Sequence, residues 1–250
     1  MINIWIMNKV NVVIPMAGMG SRFVQEGYEK PKPFIDMAGK PMIVRVLENL
    51  KIENANYFLI ARKEHLESEI ELVKAIENNY NVTFIPIDKL TEGTACTVLF
   101  ARNYINNNSP LLIANSDQII DIDINNYIND SINRDLDGSI LSFIDEELNP
   151  KWSFAKIDAR GLVTEVREKI VISNIATVGI YYFTKGLDFV NGAIDMIIEN
   201  DRVNNEFYTC PVYNYLIKEK KNIGVYNIKF SQMHGIGTPN DLNIYLNEKF

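Results

Sequence analysis

The fold is decided by residues 10–23, which read Val-Asn-Val-Val-Ile-Pro-Met-Ala-Gly-Met-Gly-Ser-Arg-Phe. The β-branched run Val10–Pro15 predicts a short buried strand, and the glycine-rich turn after it is typical of a strand that leads into a phosphate-binding loop. Gly18 and Gly20 permit positive φ and carry no Cβ, so backbone N–H groups can approach a polyphosphate closely. Arg22 adds a forked cation to the same loop.

The glycine loop alone leaves several interpretations open. A Gly-x-Gly pair marks a plain strand-to-helix turn about as often as it marks a phosphate site. The Rossmann dinucleotide fingerprint requires a third small residue where Phe23 stands, and the Walker A pattern does not occur in the sequence. A phosphate site therefore needs support from residues outside the loop.

A second cationic segment follows at Glu29–Phe34, where Lys32 has a proline on each side. The two prolines stiffen the backbone and hold the lysine in an extended segment. A rigidly held cation beside a glycine–arginine loop suits phosphoryl transfer, in which catalysis is mostly positioning and charge neutralisation. Alone, Lys-Pro-Lys-Pro would be typical of a surface loop.

Apolar and amphipathic segments alternate along the first half of the chain. Strands that alternate with helices form a parallel sheet covered on both faces. The sequence therefore predicts an α/β fold, with a Rossmann-like, mixed, mainly parallel sheet flanked by helices. After Val10–Pro15 the predicted strands are Asn56–Ala61, Val82–Ile87 and Pro110–Ala114, and the predicted helices are Met42–Leu50, Glu64–Asn78 and Thr94–Ile105.

The rhythm changes after about residue 138. Four strands follow without long helices between them, so antiparallel or mixed pairing is expected there. These strands are Gly138–Ile144, Phe154–Asp158, Leu162–Val166 and Thr177–Phe183. The chain then continues with predicted helices at Gly186–Glu199 and Tyr208–Lys218, a strand at Ile223–Ile228 and a helix start at Thr238.

Composition limits the classes of partner. The chain has 250 residues, 47% of them hydrophobic, and a formal net charge of −7, so it can bury a full core. The negative charge argues against nucleic acid, whose phosphates need a basic face, although a local cluster of Lys and Arg can still hold a small anion. Cys96 and Cys210 lie far apart in the sequence and predict two reduced thiols in a cytoplasmic protein.

No membrane partner is expected, since no stretch approaches the roughly 18 apolar residues of a spanning helix. Met1–Val13 has neither a long apolar core nor a cleavage site, so a signal peptide is not expected. Met1–Ile6 is compatible with a loose leader before the fold. The two histidines, His65 and His234, argue against a His-rich zinc site.

Three motifs together carry a family resemblance. They are the Gly18–Arg22 loop, the proline-flanked lysine and the Gly-Lys-Pro-Met-Ile stretch Gly39–Ile43, in this order. The chain resembles the nucleotidyltransferase family that makes nucleotide-activated sugars and related compounds. The resemblance implies transfer of a nucleoside monophosphate from an NTP to a phosphorylated small acceptor, with release of pyrophosphate. We expect one nucleotidyltransferase domain, 1–250, with a nucleotide-binding half at about 1–137 and a smaller, antiparallel acceptor-binding half at about 138–250.

In the nucleotide-binding half, the resemblance implies a role for each matching residue. Arg22 and Lys32 would be catalytic and would offset the charge on the α-phosphate and the leaving pyrophosphate. Asp117, just after a predicted buried strand, would bind Mg²⁺ or Mn²⁺, for which a hard carboxylate oxygen is a suitable ligand. The implied nucleotide-binding residues are Met16, Ala17, Gly18, Met19, Gly20, Ser21 and Arg22, with Glu92, Gly93 and Thr94 as a base-reading turn.

The resemblance also implies an acceptor site. Lys169 would neutralise the acceptor's phosphate, and Glu168 is its partner in the family's Glu-Lys pair. Gly179 lies in the acceptor-lining strand Thr177–Tyr181. The implied acceptor-binding residues are Asn115, Glu168, Lys169 and Gly179.

Two departures from the family pattern concern the metal and the acceptor. Gly235 stands where the family commonly has a second metal-binding aspartate. Either phosphates and water hold the metal instead, or His234 substitutes. Ile170 follows Lys169, where enzymes that act on sugar 1-phosphates usually have proline.

The chain as a whole is similar to the capsule-modification branch of the family, the CTP:phosphoglutamine cytidylyltransferases. That likeness implies CTP as the donor and phosphoglutamine as the acceptor. The alternatives are a sugar-1-phosphate nucleotidylyltransferase and a non-catalytic nucleotide-binding regulator.

Trp152–Phe154 could line the acceptor pocket or form core, and Asp121 and Asp123 could assist a metal or cap a helix.

Overall fold

The computed structural model of the chain describes residues 9–250, so the leader considered at Met1–Ile6 lies outside the described residues. The strands are β1 (Val10–Pro15), β2 (Asp36–Met37), β3 (Lys40–Pro41), β4 (Ala55–Arg62), β5 (Val82–Ile87), β6 (Leu111–Ala114), β7 (Gln118–Ile120), β8 (Gly138–Ile144), β9 (Ser153–Ile157), β10 (Val163–Glu168), β11 (Ile175–Phe183), β12 (Ile223–Ile228) and β13 (Met233–Gly235). The helices are α1 (Ser21–Gln25), α2 (Met42–Asn49), α3 (Lys63–Ser68), α4 (Ile70–Asn79), α5 (Thr94–Val98), α6 (Arg102–Ile105), α7 (Ile124–Asn133), α8 (Gly186–Ile198), α9 (Val212–Lys218) and α10 (Pro239–Lys249).

Strand β1 lies inside a nine-stranded sheet, paired in parallel with β4 on one side and β6 on the other. Strand β5 extends the parallel region beyond β4. Side chains alternate along β1, so Val12 and Ile14 pack into one hydrophobic cluster while Val13 packs into another. All three are fully buried. The sheet is therefore covered on both faces, and the expected α/β class is confirmed.

The second half of the chain completes the same sheet with mostly antiparallel pairing. Strand β11 runs antiparallel to β6, β8 and β9, and β10 runs antiparallel to β9. Strand β12 pairs in parallel with β8, so this region is mixed. Because β11 lies directly against β6, the two halves share one sheet.

Three predicted helices differ in extent from those of the structure. The helix expected at Glu64–Asn78 is divided into α3 and α4 at Glu69, whose φ of −121° departs from helical geometry. A 3₁₀ turn at Leu99–Ala101 separates α5 from α6. The helix expected at Tyr208–Lys218 begins at Val212, and before it the backbone of Phe207 and the N–H of Thr209 are hydrogen-bonded to residues 92–95.

Helix α7 and the antiparallel pair β7–β13 were not predicted. Asp123 caps α7, since its carboxylate accepts a hydrogen bond from the backbone N–H of Asn125 at 2.9 Å. The cap interpretation of Asp123 is therefore correct. Between residues 9 and 250, no helix is long and apolar enough to cross a membrane.

Candidate active site

A cavity of about 970 Å³ opens where β1 and β6 end. The glycine loop follows β1, and Asn115–Asp117 follows β6, so both line the cavity from neighbouring parallel strands. The carboxyl ends of such strands are the usual ligand-binding edge of an α/β sheet. Residues from the second half of the chain, including Glu168 and Tyr208, line the same cavity.

The glycine loop forms one wall, and every residue predicted there to bind nucleotide lines the cavity: Met16, Ala17, Gly18, Met19, Gly20, Ser21 and Arg22. Gly20 adopts the predicted positive φ, at 61°, and precedes the first residue of α1. Gly18 is not among the positive-φ glycines, so of the two glycines that permit this conformation only Gly20 adopts it. Arg22 is exposed at the cavity surface.

Lys32 and Asp117 meet across the cavity as an ion pair between Nζ and Oδ2. Lys32 begins a single 3₁₀ turn, so the extended segment expected around it ends at Pro31, which has a ψ of 139°. The side chains of Lys32 and Asp117 are 17% and 29% exposed. A bound ligand could therefore reach either charge.

The predicted base-reading turn is fastened to the segment Phe207–Thr209, which we call the strap. The Phe207 N–H donates to the Glu92 carbonyl at 2.7 Å, and the Ala95 N–H donates to the Phe207 carbonyl at 3.0 Å. Gly93 has a φ of 123°, and a Cβ there would lie 2.4 Å from the Phe207 carbonyl oxygen. Gly is therefore required at this contact.

The three residues of the predicted turn do not share one environment. Gly93 and Thr94 line the cavity. Glu92 does not line it, and its carboxylate is paired with Arg202. The structure therefore places two of the three beside the cavity, with Glu92 directed to a neighbouring surface.

Glu168 lies at the end of the cavity that the sequence assigned to the acceptor. The carboxylate is buried and accepts a hydrogen bond from the Ser153 hydroxyl. Burial raises the pKa of Glu168 above its ordinary value, although the hydrogen bond from Ser153 opposes this. Thr177 and Tyr181 line the same end and approach each other to 3.2 Å through their hydroxyl oxygens.

Asn115 and Gly179, both predicted to bind the acceptor, also line the cavity. A Cβ on Gly179 would lie 2.1 Å from Asn115 Nδ2, so the Asn115 side chain occupies the space left by this glycine. The Asn115 N–H donates to the Gly179 carbonyl at 3.3 Å. The two residues therefore form one contact between β11 and the loop after β6.

Lys169 does not line the cavity itself. Its ammonium donates a hydrogen bond of 2.7 Å to the Tyr208 hydroxyl and lies 4.7 Å from the centre of that ring. Tyr208 does line the cavity. The hydrogen bond to Tyr208 raises the pKa of Lys169 above its ordinary value, so the lysine is charged at neutral pH.

Gly235 lines the cavity, and a Cβ there would meet no atom within 4 Å. His234 is turned to another partner. Its Nε2 lies 2.8 Å from the Asp121 carboxylate, which also accepts a hydrogen bond from Lys249 at 2.8 Å. His234 and Asp121 are therefore paired with each other, outside the cavity lining.

The Trp152–Phe154 segment divides between the two roles considered for it. Trp152 and Ser153 line the cavity, while Phe154 is fully buried in the core. Sequence reasoning missed Glu206 and Tyr208 as cavity residues. The sequence predicts a helix from Tyr208 onwards, and no local pattern indicates that the strap crosses to the base-reading turn.

A model of the nucleotidyl transferase family matches residues 11–242. The chain belongs to the nucleotidyl transferase family. Bifunctional protein GlmU of Methanococcus aeolicus is 28% identical over 239 residues, covering 93% of this chain and 53% of that protein. The mannose-1-phosphate guanylyltransferase catalytic subunit beta of Drosophila melanogaster is 28% identical over 184 residues, covering 70% of this chain and 48% of that protein.

A structural likeness accompanies the family match. The crystal structure of the nucleoside-diphosphate-sugar pyrophosphorylase from Vibrio cholerae RC9 has a TM-score of 0.77 at 23% identity, covering 94% of this chain and 99% of that one. This likeness shows the shared nucleotidyl transferase fold. The chain spans about half the length of the curated relatives it matches.

Nucleotidyl transferases generally use divalent metal ions. Within residues 9–250, no group of three or more His, Cys, Asp and Glu side chains is placed to hold an ion by itself. Asp117 nevertheless presents a partly exposed carboxylate to the cavity, with Asn115 and Ser116 beside it in the sequence. Mg²⁺ is usually held by one or two carboxylates together with substrate phosphates and water, so this donor set fits a metal completed by the nucleotide.

Proposed function

We propose that the chain is a nucleotidylyltransferase, which transfers a nucleoside monophosphate from an NTP to the phosphate of a small acceptor. The observation that carries this proposal is the joining of two kinds of site in one cavity. The glycine loop, Lys32 and Asp117 line this cavity together with Glu168 and Tyr208, which come from the second half of the chain. A protein that only bound an NTP would not need the second group.

The reaction would be an in-line displacement without a covalent enzyme intermediate. An acceptor phosphate oxygen forms a bond to the α-phosphorus, the bond from that phosphorus to the bridging oxygen breaks, and pyrophosphate leaves with the electron pair. The attacking phosphate oxygen of the acceptor is already ionised at neutral pH, so no general base is required. Arg22 and Lys32 would offset the charge that develops on the α-phosphate and the pyrophosphate.

Asp117 would hold Mg²⁺ or Mn²⁺ together with the nucleotide phosphates. When bound, such an ion supplies charge neutralisation and a template that orients the phosphates. In the structure the Asp117 carboxylate is paired with Lys32. We infer that binding a nucleotide exchanges part of this ion pair for contacts to phosphate and metal.

We further propose CTP as the donor and phosphoglutamine as the acceptor. The support is the whole-chain likeness to the capsule-modification branch and the glycine at position 235, which removes an acidic side chain from the cavity wall. Ile170 is 51% exposed and does not line the cavity, so this departure makes no contact there. The narrower proposal therefore depends on the overall likeness more than on any single residue.

A sugar 1-phosphate is the second candidate acceptor. The names of the relatives favour it, since one is a mannose-1-phosphate guanylyltransferase subunit and the structural neighbour is a nucleoside-diphosphate-sugar pyrophosphorylase. A sugar acceptor brings ring hydroxyls that a site must pair by hydrogen bonding, whereas an amino-acid amide brings none of these. A site built for one class should reject the other strongly, because buried partners would be left unpaired.

The test is a matrix of steady-state kinetics with CTP, UTP, GTP and dTTP against phosphoglutamine, glucose 1-phosphate and mannose 1-phosphate. Pyrophosphate release is measured with Mg²⁺ present. We expect the highest kcat/KM for CTP with phosphoglutamine. A higher kcat/KM for any sugar 1-phosphate would overturn the narrower proposal and leave nucleotidyl transfer standing. NTP binding with no release of pyrophosphate in any combination would favour a non-catalytic nucleotide-binding regulator.

A further inference from the structure

Tyr208 stands between the charge of Lys169 and the cavity. The Lys169 ammonium donates to the tyrosine oxygen at 2.7 Å, and only the tyrosine lines the cavity. A phenol oxygen that accepts a hydrogen bond from a cation still carries its own O–H as a donor. That O–H is then polarised by the positive charge behind it.

The strap holds Tyr208 from both sides. Phe207 exchanges backbone hydrogen bonds with Glu92 and Ala95. On the other side, the Thr209 N–H and hydroxyl both contact the Thr94 hydroxyl oxygen, at 3.2 and 3.1 Å. Tyr208 is therefore positioned by the base-reading turn while its hydroxyl reaches the acceptor end.

We propose that the Tyr208 hydroxyl donates a hydrogen bond to the phosphate of the acceptor, and that Lys169 is the positioning residue that holds and polarises it. This inference rests on the proposed function and reassigns the direct contact that the sequence had given to Lys169. A neutral hydroxyl donor with a lysine ammonium behind it suits the acceptor phosphate, which must approach the α-phosphate of the nucleotide. It supplies a hydrogen bond at the cavity surface while the full charge stays behind the ring.

The surroundings of Tyr208 favour the protonated hydroxyl, which can donate a hydrogen bond, over the phenolate. Burial raises the pKa of the Tyr208 hydroxyl, and the nearby Glu206 carboxylate raises it further, while the Lys169 contact opposes both. The hydroxyl therefore keeps its proton at neutral pH. Glu206 also lines the cavity, so it is the neighbouring acceptor with which an incoming phosphate would compete for this proton.

The experiment is a double-mutant cycle with Tyr208→Phe, Lys169→Met and the combined variant. Acceptor KM is measured with phosphoglutamine and, separately, glucose 1-phosphate, and NTP KM is measured in parallel. We expect each single variant to raise acceptor KM roughly 10- to 100-fold, the range for a hydrogen bond to a charged group. NTP KM should stay within about twofold. The combined variant should be no worse than the more severe single variant, because both changes remove one interaction.

Two controls separate a positioning role from loss of structure. Lys169→Arg should restore most of the acceptor affinity, since the guanidinium can still donate to the tyrosine oxygen. Tyr104→Phe makes the same chemical change at a tyrosine outside the cavity lining, stacked on Phe58, and should leave all constants unchanged.

Binding of inorganic phosphate, followed by ³¹P NMR titration, keeps the test independent of turnover. If the wild type binds phosphate and Tyr208→Phe weakens that binding tenfold or more, the inference stands even where no acceptor turns over. Unchanged phosphate binding and acceptor KM in Tyr208→Phe, beside a large loss in Lys169→Met, would overturn it, because the lysine would then contact the phosphate itself. Effects that multiply in the double variant would also overturn it.

Discussion

Lys32→Ala should remove most of the activity and little of the stability. The ammonium lines the cavity beside the glycine loop, where charge would develop on the transferred phosphorus and on pyrophosphate. Loss of one such electrostatic contact costs roughly 3–4 kcal/mol in the transition state, or about 10²–10³ in rate. We therefore expect kcat/KM to fall by that factor.

The effect on folding follows from the exposure of the ion pair. With side chains 17% and 29% exposed, Lys32 and Asp117 remain accessible to water, so the carboxylate left behind can be solvated. A pair of this kind contributes about 0–1 kcal/mol. For a chain of this length we expect the Tm to fall by no more than roughly 4 °C.

Lys30→Ala is the matched control. Lys30 lies two positions earlier, is 56% exposed, pairs with Glu69 at 3.7 Å and does not line the cavity. Pyrophosphate release gives kcat/KM, and circular dichroism gives Tm, for all three proteins. A Lys32→Ala enzyme within about fivefold of the wild type would refute the catalytic role. So would an activity loss that Lys30→Ala reproduces.

Three further outcomes are expected. Asp117→Ala should lower Mg²⁺-dependent turnover by at least about 10²-fold; a Mg²⁺ titration that still activates the variant fully would remove Asp117 from the metal site. Gly93→Ala should be less stable than Gly161→Ala by roughly 1–3 kcal/mol in urea unfolding. Both glycines have positive φ, but only a Cβ at position 93 meets the Phe207 backbone. Equal losses of stability in the two variants would contradict the strap contact. Glu168→Gln should be more stable than the wild type at pH 8, with a difference in stability that vanishes toward pH 4. Burial raises the folded-state pKa of Glu168 above the ordinary 4.5, so the wild type loses stability as the pH rises through that pKa. A stability difference that grows on acidification would contradict this sign.

Local patterns in the sequence predicted the strand and the loop that line the cavity after β1. The strand β1 and the loop after it occupy adjacent positions in the chain, so the β-branched run and the glycine spacing predicted both. Lys32 was singled out by its flanking prolines, whereas the role of Asp117 was implied by the family resemblance. Their ion pair, across 85 positions, was not visible in the sequence.

The acceptor end depends on contacts between distant segments, and the sequence predicted it less well. Tyr208 and Lys169 are 39 positions apart, and the local pattern predicts that Tyr208 begins a helix. His234 and Asp121 are 113 positions apart, so their pairing could not be anticipated when His234 was considered as a metal ligand. The His234–Asp121 pair follows from the register of β13 against β7, which a local pattern does not specify.

One cavity is proposed to bring a nucleotide and a phosphorylated acceptor together for transfer. ³¹P NMR of a reaction with CTP, phosphoglutamine and Mg²⁺ tests it most directly, because it identifies every phosphorus product. We predict free pyrophosphate and, in equal amount, a new diphosphate that joins the CMP phosphorus to the acceptor phosphorus, with neither formed when the acceptor is left out. Orthophosphate or free CMP as the main product, or an unchanged spectrum with this and every sugar 1-phosphate despite NTP binding, would contradict the account.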